Sequence, residues 1–326
     1  MTTENLGESI ILRTVKTDKF KSNFLSVSFE QPLNRREAAM NALILRILKR
    51  GTEHYPDMIA LSKKLDSLYS ADIFTDCRCF GETQMLNFSL DALSNDYALD
   101  DTDILTEGAK LLAEIIYHPL TENGGFKQSY FESEKRNQLA DVDAEINNKA
   151  KYALSRLRTL MFENERYGAS SLGTRDEVEA LTNKELFAHY RKLLTTSAMN
   201  IIYVGNADAE RLHTALASIL ADYHPTDVVR STTEVIRRSD KHRYLNEKCV
   251  GKQGNLIMGF RTGTVLADGD YPKMALLNEL LGGKVNDSIR CYASQLQFGW
   301  CDKIGPYGKP EEYRMIAKYA LDDGYH

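Results

Sequence analysis

The chain has 326 residues, about two domains' worth, with 43% hydrophobic and 27% charged residues. That balance excludes a disordered chain, a fibre and a disulfide-stapled miniprotein, and a net charge of −5 argues against a basic groove for nucleic acid or a polybasic membrane anchor. No apolar run approaches the ~18 residues of a membrane span, and Met1-Thr2-Thr3-Glu4-Asn5 lacks the charged-then-apolar layout of a signal peptide. The expected compartment is the cytoplasm, with the five cysteines as reduced, structural thiols. Cys77 and Cys79 share one face of an extended segment, where a bridge between them would strain the backbone.

In chain order, Ser9 to Val15 reads as a first strand, and Phe24 to Phe29 as a half-buried strand ended by Pro32. Asn34 followed by Glu37 has the spacing of a capping box, and the helix it opens runs to Gly51, placed as a C-terminal cap. A second helix starts at Pro56 and carries Met58, Ile59, Leu61, Leu65 and Leu68. Ala71–Phe80 and Thr83–Leu90 form a hairpin around Gly81-Glu82. Asp101 to Tyr117 is an amphipathic helix closed by Pro119, and Gly124-Gly125 is a loop. Phe126 to Phe162 is the longest helical pattern and has room for one break. The loop Tyr167–Gly173 precedes short helices capped by Thr174 and Thr182. Ala198 to Val204 is a buried strand and Asp208 to Tyr223 a helix. The polar stretch 225–241, with Arg230, Arg237 and Arg238, reads as an interdomain linker. A strand at Gly254–Arg261 and a helix at Tyr271–Leu281 follow. The expected fold class is α+β, a largely antiparallel sheet packed by helices, with a first domain at 1–224 and a second at 242–326.

Nucleotide and serine-hydrolase motifs are absent: there is no G-x-G-x-x-G, no G-x-x-x-x-G-K-[ST] and no G-x-S-x-G. The seven histidines include no pair four apart, and there is no C-x-x-C, so no local segment presents a zinc site. His189 beside Tyr190 and His118 before Pro119 read as packing or surface residues, and His54 as a partner for helix-end carbonyls.

Four segments together resemble the pitrilysin/insulinase family of zinc metallopeptidases. They are Leu48-Lys49-Arg50-Gly51-Thr52 with Leu65-Asp66-Ser67-Leu68-Tyr69-Ser70-Ala71; the helix opening Phe131-Glu132-Ser133-Glu134-Lys135; Tyr167–Gly173 with Leu181–Leu186 and Asn200–Asn206; and Leu277-Asn278-Glu279-Leu280-Leu281-Gly282-Gly283. Active members carry H-x-x-E-H just before the glycine turn, two zinc ligands and a general base on one helix face. Counting back from Gly51, the histidine positions hold Ala42 and Arg46, and the base position holds Leu45. Alanine and leucine neither bind zinc nor accept a proton, and arginine carries a permanent positive charge. The position of the family's third ligand, in the long helix, holds Asp141, with Glu145 as the candidate one turn on. With zinc lost, Arg46 and Asp141 are expected to pair where the metal would sit.

Gly283 is followed by a compressed pattern in which Ser288, Arg290 and Tyr292 match the family, and the tail around Trp300 and Gly305–Pro310 does not. The expectation is a shortened second domain. The resemblance is strongest to non-catalytic bacterial members, which implies no cofactor and no catalytic residue. It also implies pairing with an active zinc-bearing homologue, a peptide or protein substrate, and a link to aminopentanol modification of elongation factor P. Neither nucleic acid nor membrane is an expected partner. Two alternatives stand beside it: an active zinc metalloendopeptidase using Asp141, Glu145 and a distant histidine, and a stand-alone scaffold or truncated product.

Overall fold

A computed structural model of the chain describes residues 1–231, 236, 243–248, 253–261, 264, 269–282, 296–304 and 310–322. Arg237 and Arg238, Gly283, the matches at Ser288, Arg290 and Tyr292, and the segment 305–309 lie outside them.

The first sheet has six strands in the order β1-β2-β8-β3-β5-β4. They are β1 (Thr2–Gly7), β2 (Ile10–Lys16), β3 (Ser22–Pro32), β4 (Asp72–Phe80), β5 (Thr83–Leu93) and β8 (Ala198–Gly205). All neighbours run antiparallel except β2 and β8, so the sheet is largely antiparallel. Alternation sets its inner face: Leu25, Val27 and Phe29 on β3, Leu86, Phe88 and Leu90 on β5, and Met199, Ile201 and Tyr203 on β8 are at most 2% exposed. On that face lie α1 (Arg35–Leu48), α3 (Ile104–Tyr117), α7 (Asn183–Thr196) and α8 (Ala209–Ala221), whose apolar stripes join the same core. This is the α+β, two-layer arrangement expected. β1 was not foreseen, because Thr2-Thr3-Glu4-Asn5 shows no apolar alternation; it pairs only along β2 and is exposed.

Several helix boundaries differ from the sequence reading. Asn34 caps α1 by accepting from Arg36 N at 3.0 Å, but Glu37 turns to Lys192 Nζ at 2.9 Å and closes no capping box. The helix ends at Leu48 with Lys49 as its C-cap, not Gly51. Gly51 is required for another reason: a Cβ there would stand 2.7 Å from the Pro56 carbonyl. α2 (Met58–Ser67) is capped by Asp57, which accepts from Ala60 N at 2.8 Å, so Pro56 precedes the helix. Only Leu61 of α2 is buried, while Met58 and Ile59 face outward. The long pattern breaks once: α4 (Gln128–Ala144) passes into a turn of 3₁₀ helix, and Asn148 then caps α5 (Lys149–Met161). Short strands β6 (Thr121–Glu122) and β7 (Gly125–Phe126) turn the chain at Asn123-Gly124, both at positive φ. Thr174 forms a full capping box on α6 (Arg175–Glu179), and Thr182 caps α7.

Beyond α8, residues 226 and 229 hydrogen-bond back to Thr195 and Thr196 at the end of α7. A second sheet, order β10-β11-β9, is antiparallel and built from β9 (Gln253–Arg261), β10 (Leu296–Ile304) and β11 (Pro310–Asp322); α9 (Tyr271–Gly282) precedes β10. Helix α5 packs on the second sheet. Leu157 and Met161 pack so closely on Gly259 that a Cβ there would lie 2.7 Å from the Met161 sulfur. Arg261 pairs with buried Glu165 and donates to Met161 O at 2.9 Å. Arg156 and Tyr152 both donate to Glu247. No helix among the described residues is long and apolar enough to cross a membrane.

Candidate functional site

Helix α1 is buried along most of its length because it lies between the sheet and α4, and its sequence is nearly continuous apolar from Ala38 to Leu45. Ala42 is 4% and Leu45 3% exposed, and Leu45 belongs to the main core. Only the last turn turns polar. There Arg46, a cation where the helix dipole favours one, places Nη2 2.6 Å from Asp141 Oδ2 on α4. The Arg46 side chain is 28% exposed and that of Asp141 53%.

Just past the C-cap of α1, Arg50 Nη1 lies 2.9 Å from Glu134 Oε1, with its guanidinium 5.2 Å from the Tyr130 ring. Between the two pairs on α4 sits Gln138, fully buried, whose Nε2 donates to Ala39 O at 3.0 Å and Leu172 O at 2.8 Å. Its Oε1 has no partner, and neither does Arg50 Nε. The α1–α4 contact is therefore held by two ion pairs and one amide that ties α1 to the loop before α6. The sequence reading found the first pair by counting from the glycine turn. It missed Gln138 and the Arg50–Glu134 pair, since glutamine marks no motif and Glu134 entered only as part of the matching segment Phe131–Lys135.

These residues do not fit a zinc ion. The donor set on α1 is a methyl, an isobutyl and a guanidinium, and the guanidinium occupies the carboxylate that would be the third ligand. The alternative set fails as well. Glu145 lies in the 3₁₀ turn beyond α4 and its charge acts on Arg156. No described group of three His, Cys, Asp or Glu side chains could hold a metal. Two described histidines have acidic partners: His118 Nε2 meets Asp222 at 3.2 Å, and His213 lies 3.7 Å from Glu4. His54 does not serve α1's carbonyls. Its ring Nδ1 and its backbone N both reach Glu114 Oε1 at 3.1 Å, and Thr52 Oγ1 donates to the same oxygen at 2.5 Å. Glu114 of α3 thus fixes the turn that follows α1.

His189 is a packing residue, one of the two readings the sequence left for it. It is buried on α7, with Nε2 2.7 Å from Asn41 Oδ1, while Asn41 Nδ2 donates to Gln84 Oε1 at 2.8 Å. Because Asn41 Oδ1 can only accept, Nε2 carries the proton. Burial lowers the pKa of His189, with Glu37 opposing and Lys192 reinforcing. Gln84 Nε2 in turn reaches Cys77 Sγ at 3.0 Å. Burial raises the Cys77 thiol far above its ordinary range and pushes Cys79 up to about 11, so both are inert, unbridged thiols on β4.

The family model described as "Peptidase M16 inactive domain" matches residues 180–318. The "probable inactive metalloprotease YmfF" of Bacillus subtilis (strain 168) is 29% identical over 269 residues, which cover 82% of this chain and 63% of that protein. The chain thus spans under two thirds of that relative's length. Among solved structures, a conserved protein from Enterococcus faecalis V583 superposes with a TM-score of 0.86 at 22% identity, over 98% of this chain and 75% of its own. The structure titled peptidase M16 inactive domain from Pseudomonas fluorescens gives 0.70 at 16% identity, over 98% and 74%. At these identities the superpositions show a shared fold. Taken with the sequence matches, they make the chain similar to M16 peptidase-family proteins in sequence and fold, with Ala42, Leu45 and Arg46 standing where its resemblance to active members puts the zinc motif.

Proposed function

We propose that the chain is a non-catalytic, cytoplasmic peptidase-like subunit that pairs with a zinc-bearing homologue and helps enclose a peptide or protein. The observation that carries this reading is the Arg46–Asp141 pair. A guanidinium fills the place of a dication, so the α1–α4 scaffold keeps its shape without metal, water activation or a general base. A scaffold retained without its chemistry serves binding. The resemblance to bacterial members linked with aminopentanol modification of elongation factor P makes that pathway the first setting to test.

The test is affinity capture of the tagged chain from the cells that encode it, with identification of co-purifying chains by mass spectrometry. The reading predicts a near-stoichiometric partner of the same family that carries an intact H-x-x-E-H and bound zinc. Recovery of the chain alone at native abundance contradicts it and favours a stand-alone scaffold.

A further inference from the structure

The end of β3, the start of α1, the end of α7 and the segment after α5 enclose a crevice of about 610 Å³. In its wall stands Gln31 of β3, only 6% exposed. Its Nε2 donates to Thr196 Oγ1 at 3.1 Å and to Ser197 Oγ at 2.6 Å. Each of those hydroxyls gives its single proton to a carbonyl of α7, Thr196 to Lys192 O and Ser197 to Leu193 O. Neither can donate back, so the amide has one orientation and its NH₂ faces the end of α7. Gln31 Oε1 is left without a hydrogen-bond partner, an acceptor held fixed at the crevice wall.

The charges around it are unevenly matched. All three acids that line the crevice already hold a cation: Glu37 has Lys192 at 2.9 Å, Glu163 has Arg243 at 2.5 Å, and Glu165 has Arg261. Two arginines that line it have no acid among the described residues. Arg35 donates Nη2 to the Glu163 carbonyl at 2.7 Å, and the exposed Arg166 has no side-chain partner. Arg35 also opens the first turn of α1, where backbone N–H groups favour an anion. Two guanidiniums without counter-charge beside a helix N-terminus select a carboxylate, which their planar forks can hold in bidentate geometry. The fixed amide oxygen selects the other end of a ligand, one that carries N–H donors. Glu37 adds to that end, because only its Oε1 is turned to Lys192. Three acids in the lining disfavour a multiply charged anion such as phosphate. A crevice between packed elements with a few converging polar groups is the usual seat of a small ligand.

We propose that this crevice binds a small zwitterion, a free amino acid or a dipeptide, with its carboxylate on Arg35 and Arg166 and its ammonium on Gln31 Oε1. The site lies at the opposite end of α1 from the Arg46–Asp141 pair and needs no partner chain, so its test is separate from the partner capture. The probes are glycine and glycylglycine, which distinguish the two sources. The controls are glycylglycinamide, which lacks the carboxylate, N-acetylglycylglycine, which lacks the ammonium, and inorganic phosphate, all at matched ionic strength. The readout is the Gln31 side-chain amide signal of ¹⁵N-labelled protein, assigned through its own side-chain carbons. One or both zwitterions are expected to move that signal saturably, with half-saturation on the order of millimolar, and each control is expected to bind at least ~tenfold more weakly. Arg166→Gln, at an exposed position, is expected to leave the thermal midpoint of the free chain unchanged and to weaken zwitterion binding by about tenfold or more. An unmoved or non-saturating signal with both zwitterions would overturn the assignment. So would an equal response to either single-charge control, tighter saturation by phosphate, or undiminished binding in Arg166→Gln.

Discussion

Glu134 and Asp141 lie two turns apart on α4, and they meet Arg50 just past the end of α1 and Arg46 in its last turn, yet their surroundings differ. The Glu134 side chain is 9% exposed and that of Asp141 53%. An ion pair open to water contributes little, whereas a buried acid stripped of its charge leaves its partner desolvated. Asp141→Asn is therefore expected to lower unfolding stability by under ~1 kcal/mol, and Glu134→Gln by about 2–3 kcal/mol. Urea denaturation of both variants checks the order, and the reverse order contradicts this view of the α1–α4 contact. His189 adds a pH dependence. Its pKa in the fold lies below the ordinary 6.5, so above that value both folded and unfolded chains hold it neutral and its contribution is complete. As pH falls through 6.5 the unfolded chain takes up the proton first, and stability declines. His189→Gln should flatten that decline between pH 6.5 and 5; an unchanged slope would place it elsewhere. Gln138 could not be singled out beforehand, and His189 was read only as a packing or surface residue. A buried amide and a buried imidazole are defined by what packs over them, and a local pattern does not carry that.

At the level of elements, the strands with apolar alternation were legible: β3, β5 and β8 sit where Phe24–Phe29, Thr83–Leu90 and Ala198–Val204 predicted. The break between α4 and α5 was expected without a position, which Asn148 now supplies by capping α5 through Lys151 N. Gly51 and Pro56 were read as ordinary helix punctuation. Their actual relation, backbone against backbone across a turn, is a tertiary contact that spacing alone does not reveal. The exit of α2 is unusual as well, because Tyr69 and Ser70 both have positive φ, at 59° and 57°. Left-handed backbone is unfavourable for residues with a Cβ, and Ser70 is exposed. Ser70→Gly is expected to stabilise the chain by about 0.5–1 kcal/mol. A loss of stability in chemical denaturation would mean that the serine side chain makes a contribution of its own.

At the scale of the molecule, α5 holds the second sheet to the segment that follows α4. It packs on β9, and Arg156 ties it to Glu247 through a pair whose side chains are 39% and 31% exposed. That outer contact is salt-sensitive, unlike the buried Arg261–Glu165 pair beneath it, at 9% and 3%. Glu247→Lys should speed limited proteolysis in the 243–248 stretch at low salt with little change in the thermal midpoint; equal cleavage of both proteins would show that the clasp holds nothing. The central claim concerns metal. With Ala42, Leu45 and Arg46 on α1 and Asp141 already paired, the described residues hold no zinc site of the kind the resemblance gives to active members. The most direct measurement is the zinc content of the chain expressed with zinc and dialysed, read by elemental mass spectrometry. The account predicts far less than one zinc per chain, and about one tightly held zinc would contradict it.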